Sequence, residues 1–165
     1  MSEKQAMNET IITAEPNSPY LTITREFDAP RERVFQAFVD PALVVQWLGP
    51  RGYEMEAVKY DATTGGSYHY IHTGQDGEAH QFRGSFHSVD GPNSIVQTFE
   101  YLGYPGPVNL EWMTFEDTGN GRTRLVQHAV AQSVENRDAL IQSGMEQGVR
   151  EGYERLDELL RESED

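Results

Sequence analysis

The sequence predicts an α+β domain: an antiparallel sheet of about seven strands, two short helices after the first strand, and a long helix at the C-terminus. Three observations predict it. Residues 21–26 alternate in the manner of a strand and run directly into two proline-marked helix starts. Residues 53–131 form short alternating segments separated by turns rich in Gly, Asp and Asn. After Ser133 the apolar residues switch to helical spacing.

In order along the chain, Leu21, Ile23 and Arg25 alternate with Thr22, Thr24 and Glu26. Asp28-Ala29-Pro30 opens the first helix, because a proline in the first turn lacks an N–H that would have no partner there anyway. Val34, Phe35 and Phe38 give that helix an apolar stripe. Asp40-Pro41 repeats the start signal, Leu43, Val44, Trp47 and Leu48 form a second stripe, and Gly49-Pro50 ends it. Strands follow. Tyr53, Met55 and Ala57 share one face; Tyr68, Tyr70 and His72 share another after the turn at residues 61–66. Gly74-Gln75-Asp76-Gly77 is a hairpin turn. Phe82, Gly84 and Phe86 lie on one face of a strand over His80–Val89, and Ile95–Tyr101 is the next. The last two, Val108–Glu116 and Thr123–Ala131, flank the turn Asp117–Gly121. Ser133 caps a helix expected to run to Leu160, roughly 40 Å at 1.5 Å per residue. Ile141, Met145, Val149, Leu156, Leu159 and Leu160 form its apolar stripe. Glu146/Arg150 and Glu151/Arg155 are spaced to pair on the solvated side.

Composition bounds the function. The chain has 165 residues, enough for one domain with a sizeable core. Its net charge of −14, from 27 acidic against 13 basic residues, argues against nucleic acid or an anionic membrane as partner. No apolar run approaches the roughly 20 residues of a membrane span. Residues 1–19 lack the basic and apolar regions of a secretion signal, and there are no cysteines. The expectation is an acidic cytoplasmic protein, monomeric or weakly dimeric, with residues 1–19 as a flexible arm outside the core and residues 20–161 as the folded domain. No phosphate-binding loop, dinucleotide fingerprint, hydrolase elbow or metal-ligand spacing is present, so no cofactor, no metal and no assigned catalytic residue are expected.

The order of these pieces resembles a known family. Phe27-x-Ala29-Pro30-x-x-x-Val34-Phe35, Trp47-Leu48-Gly49-Pro50, Asp61-x-x-x-Gly65-Gly66, Gly84-x-Phe86, Phe115-Glu116, Gly121-x-Thr123 and Gly144-Met145-x-x-Gly148 follow one another over residues 20–161. Together they are similar to the family named for the activator of Hsp90 ATPase homologue 1, within the START-like (SRPBCC) superfamily. The resemblance implies a helix-grip fold, a curved sheet wrapped around the C-terminal helix with a cavity between them. Two positions depart from the family's common pattern: Thr63-Thr64 stand where Arg-Pro is frequent, and Val149 stands where Trp is frequent. A small residue at 149 should enlarge the cavity.

Alternation combined with this resemblance gives a candidate ligand-binding set: Tyr68, Tyr70, His72, Phe86, Glu111, Met113, Gln127, Met145 and Val149. Glu111 is either a cavity carboxyl with a raised pKa or an ordinary surface acid at a strand end. Gly144, Gly148 and Gly152 either allow close helix packing or leave space for a ligand; packing is expected at Gly148 and open space at Val149. The implied function is binding of a small hydrophobic or aromatic molecule, lipid- or polyketide-like. The alternatives are a polyketide cyclase-like enzyme with Glu111 or His72 as acid or base, and a chaperone-interaction module. The N-terminal extension of about 19 residues is too short for a second domain of the kind that a co-chaperone would pair with this one.

Overall fold

The computed structural model describes residues 8–162. Eight strands form one antiparallel sheet: β1 (Ile11–Thr13), β2 (Tyr20–Phe27), β3 (Glu54–Tyr60), β4 (Ser67–Thr73), β5 (Ala79–Asp90), β6 (Ser94–Tyr101), β7 (Asn109–Gly119) and β8 (Arg122–Val130). Their spatial order is β1-β2-β8-β7-β6-β5-β4-β3. Residues 54–130 are thus a meander, and β2 closes onto its last strand. The sheet is curved and open, as a helix-grip fold requires.

The extra strand corrects the expected arm. Residues 1–7 lie outside the described residues, but β1 pairs with β2, Ile12 opposite Ile23, and Thr10 is buried. Arg150 of the C-terminal helix donates to the Thr10 carbonyl, so this segment is tied to both sheet and helix. A three-residue strand in a polar segment has too little periodicity to be read from sequence.

Four helices complete the fold: α1 (Arg31–Val39), α2 (Pro41–Trp47), α3 (Val134–Gln142) and α4 (Met145–Glu162). The Asp40 carboxylate caps α2 through the Ala42 N–H at 2.9 Å, with Pro41 in the first turn, as the start signal implied. Val34, Phe35, Ala37 and Phe38 of α1 are buried. Phe38 meets the rings of Trp47 and Phe115 edge-on at 4.8 and 5.2 Å, and Trp47 Nε1 donates to the Ala37 carbonyl at 2.8 Å. These contacts lock α1 and α2 onto one end of the sheet.

The single C-terminal helix expected from Ser133 is two helices. Ser133 does cap the first, accepting from the Asn136 N–H at 3.0 Å. The chain then breaks at Ser143-Gly144, because Gly144 adopts φ +87°, a left-handed conformation that ends a helix. The intrahelical ion pairs give way as well. Arg155 instead donates to the carbonyls of Gln46 and Gly49, and Glu151 accepts from the Arg51 N–H. These charges join α4 to the loop after α2 rather than decorating a free face.

The far half of α4 fills the core with Tyr153, Leu156 and Leu160. Beside them Asp157 meets Arg25 of β2 at 2.7 Å, and both residues are buried. Arg25 also stands over the Phe27 ring at 4.9 Å. Its place among inward-facing residues follows the alternation with Leu21 and Ile23, and Asp157 supplies the countercharge such a position demands.

Candidate functional site: a cavity between sheet and helix

The near half of α4 does not touch the sheet so closely. Beneath it lies a cavity of about 690 Å³, walled by the concave face of β4–β8, by α2 and by α3. Tyr104, Ala139, Ser143 and Gly144 are lining residues that are also exposed, so the cavity opens between the β6–β7 loop and the α3–α4 break.

The three helix glycines have three different roles. Gly144 breaks the helix. A Cβ at Gly152 would stand 3.2 Å from the Gly49 nitrogen and 3.4 Å from the Trp47 carbonyl oxygen, which is close backbone packing. A Cβ at Gly148 would meet only Pro50 Cδ, at 3.6 Å. Close packing therefore belongs to Gly152, not to Gly148; both border the cavity, but only Gly148 has no backbone atom close beside it. The i, i+4 spacing alone cannot separate them, because what faces each glycine comes from the distant loop at residues 47–50.

Of the nine sequence-derived candidates, Tyr68, Tyr70, His72, Glu111, Met113, Gln127, Met145 and Val149 line this cavity. Phe86 does not. It points inward as alternation requires, but the rings of Tyr60 and Tyr68 stand at 5.7 and 5.3 Å from it. Its backbone is pinned to Gly65 and Gly66. Phe86 is therefore core. Gly84 explains the cover: a side chain there would strike Tyr68, whose hydroxyl donates to the Thr98 carbonyl. Other wall residues were missed. Gln97 and Phe99 share a face with Ile95, and Tyr153 is one turn beyond Val149, so periodicity could have found them. Tyr104 and Pro107 sit in a loop with no such signal.

The polar groups converge on Glu111. Gln97 Nε2 of β6 donates to one carboxyl oxygen at 3.0 Å, and Gln127 Nε2 of β8 to the other at 3.3 Å. Tyr153 of α4 donates to Gln127 Oε1 at 3.1 Å, completing a chain from helix to sheet. Burial pushes the Glu111 pKa up to about 7; the two amide donors oppose this and do not overcome it. Of the two readings of Glu111, the geometry gives the cavity carboxyl.

His72 is a buried polar residue of the wall. Its ring packs 5.0 Å from Tyr70 and 5.4 Å from Phe82, and the Leu48 backbone hydrogen-bonds it. Burial lowers its pKa to about 4, with Arg155 and His80 acting in the same direction, so the imidazole is neutral at pH 7. Nε2 has no hydrogen-bond partner among the described residues. Gly49, at φ +100°, is required beside it, since a Cβ there would strike His72 Cε1. Among the described residues, no group of three or more His, Asp or Glu side chains is arranged to hold a metal ion. None of the helices there is long and apolar enough to cross a membrane.

A curved sheet gripping a C-terminal helix over an internal cavity defines a START-like protein, and the comparisons agree. The model of the activator of Hsp90 ATPase homolog 1-like family matches residues 28–161, and the chain belongs to that family. Families of this superfamily typically bind hydrophobic ligands. No curated protein matches the sequence at a significant level. Among solved structures, protein Ms6760 from Mycobacterium smegmatis is similar, at 27% identity and a TM-score of 0.83 over 92% of this chain and 96% of that one. A Rhodobacter sphaeroides protein is similar at 26% identity and a TM-score of 0.84, covering 93% of this chain and 99% of that one. One from Arthrobacter aurescens shares 25% identity at a TM-score of 0.84, over 92% and 91% of the two chains.

Proposed function

We propose that this protein binds one small, mainly apolar molecule in the cavity between the sheet and α4. The observation that carries the reading is the cavity itself. Its volume of about 690 Å³ suits a small-molecule site, and its walls combine aromatic rings with a few converging polar groups. Val149 supports it from the helix side, since a large residue there would occupy the space beneath the first turns of α4. The test is Val149→Trp, with Nile red as a neutral apolar probe. The variant should melt within a few degrees of the parent and bind the dye several-fold more weakly. A severe loss of stability would mean that no open space exists at position 149.

One observation favours a second reading, proton-transfer chemistry on the bound molecule. The Glu111 carboxyl has a pKa of about 7 inside an apolar cavity, where it would both accept and donate protons at neutral pH. That reading requires a bound compound to be altered on incubation, detectable by mass, whereas binding alone requires no change.

A further inference from the structure

We propose that the molecule this cavity takes is a lipophilic amine, its ammonium group seated on Glu111 and its apolar body among the aromatic rings of the wall. This deepens the ligand-binding reading and rests on it.

The charge pattern of the wall carries the inference. Among the described residues that line the cavity, Glu111 is the one carboxyl group, and no lysine or arginine joins it. Its hydrogen-bond partners, Gln97 and Gln127, are neutral amides. They orient the carboxylate without cancelling its charge. Tyr68 and Tyr70 from β4 and Tyr153 from α4 are the titratable groups that feel its charge, and burial holds all three hydroxyls protonated. Arg25, whose charge reaches Tyr153, is committed to Asp157 at 2.7 Å. His72 is neutral. When ionised, Glu111 is thus a carboxylate in an apolar cavity with amide donors but no Lys or Arg among the wall residues, an arrangement that an incoming cation completes.

Three ligand classes compete for such a site. An anionic ligand meets like charge at Glu111 and finds no Lys or Arg among the wall residues. A neutral alcohol donates one hydrogen bond but leaves the charge unpaired in a medium of low dielectric. An ammonium pairs with the carboxylate and is also attracted by the faces of the surrounding rings. The net charge of −14 adds a long-range preference in the same direction, raising the local concentration of cations and lowering that of anions.

The test compares three ligands of nearly one shape: 1-naphthylmethylamine, 1-naphthylmethanol and 1-naphthaleneacetate. Each is titrated by fluorescence into the full chain at pH 8 and moderate salt. The amine should bind at least tenfold more tightly than the alcohol, with the acetate weakest. Glu111→Gln should abolish the amine's advantage over the alcohol. Attraction to the acidic surface would instead persist in the variant and overturn the assignment. Calorimetry on the unaltered chain covers the case in which the variant folds poorly. At pH 6.5 Glu111 is partly protonated, so seating the amine must release a fraction of a proton, seen as a heat that depends on the buffer. Amine binding without proton release overturns the proposal. If the alcohol binds as well as the amine, the amine assignment fails and the cavity reading stands. If none of the three binds, both fail.

Discussion

Replacing Gly148 and Gly152 separately by leucine should have opposite consequences, although the two glycines lie one turn apart on the same helix. At Gly148 the first new atom meets Pro50 Cδ at 3.6 Å, an ordinary van der Waals contact, and the rest of the side chain has the cavity to enter. Removing a helical glycine is itself favourable, by about 0.8–1 kcal/mol on the alanine scale and little less for leucine. For a chain of this size each kcal/mol moves Tm by about 2–4 °C, so Gly148→Leu should melt no lower than the parent and up to a few degrees higher. At Gly152 the Cβ would stand 3.2 Å from the Gly49 nitrogen and 3.4 Å from the Trp47 carbonyl. These are backbone atoms of a loop that Arg155 also holds, and they cannot swing aside as a side chain would. Overpacking of this kind costs about 1–3 kcal/mol, and leucine's further atoms push the cost toward the upper end. Gly152→Leu should therefore melt clearly lower. Scanning fluorimetry reads both, and Nile red titration should show binding weakened in Gly148→Leu. Equal destabilisation of the two variants would refute the argument, because it would mean that the space beside Gly148 does not exist.

The remaining predictions concern charge. Glu111 has a folded pKa of about 7 against 4.5 for the free group, so the folded chain holds its proton more tightly than the unfolded one. Its contribution to stability is greatest below pH 4.5 and falls as pH rises to about 7, by up to about 3 kcal/mol at 1.36 kcal/mol per unit. His72 acts in the opposite sense: its pKa drops from 6.5 to about 4, so stability is lost as pH falls through that window. Between pH 4.5 and 6.5 the two slopes offset. In Glu111→Gln the offset to the His72 slope is removed, so urea midpoints should rise more steeply from pH 4.5 to 6.5 than in the parent; an unchanged profile would contradict the assignment. Asp157→Ala should cost about 3–5 kcal/mol because it strands the buried Arg25. The double variant Arg25→Met, Asp157→Leu should recover most of that loss in urea unfolding.

How much of this arrangement was legible in the sequence depends on the distance over which each feature is decided. The faces of the strands were legible, because alternation is local. Tyr68, Tyr70 and His72 sit opposite Gly84, Phe82 and His80, and Met113 opposite Gln127, as an inward face requires. The start signal at Asp40-Pro41 was legible for the same reason. What failed was decided by partners far along the chain. Phe86 faces inward, yet whether it lines the cavity or lies behind it depends on where Tyr60 and Tyr68 place their rings. Gly148 and Gly152 are equivalent in spacing and differ because the loop at residues 47–50 presents close backbone atoms to Gly152 and only Pro50 Cδ, at an ordinary contact distance, to Gly148. Glu111 shows both effects. Its face followed from alternation with Met113 and Phe115, but its chemistry depends on Gln97 and Gln127 across two strand pairings and on the helix above. The family's fold could thus be read from local pattern. The acid that gives this cavity its character could be named from alternation, but the choice between a cavity carboxyl and a surface acid was decided only by β6, β7, β8 and α4 coming together.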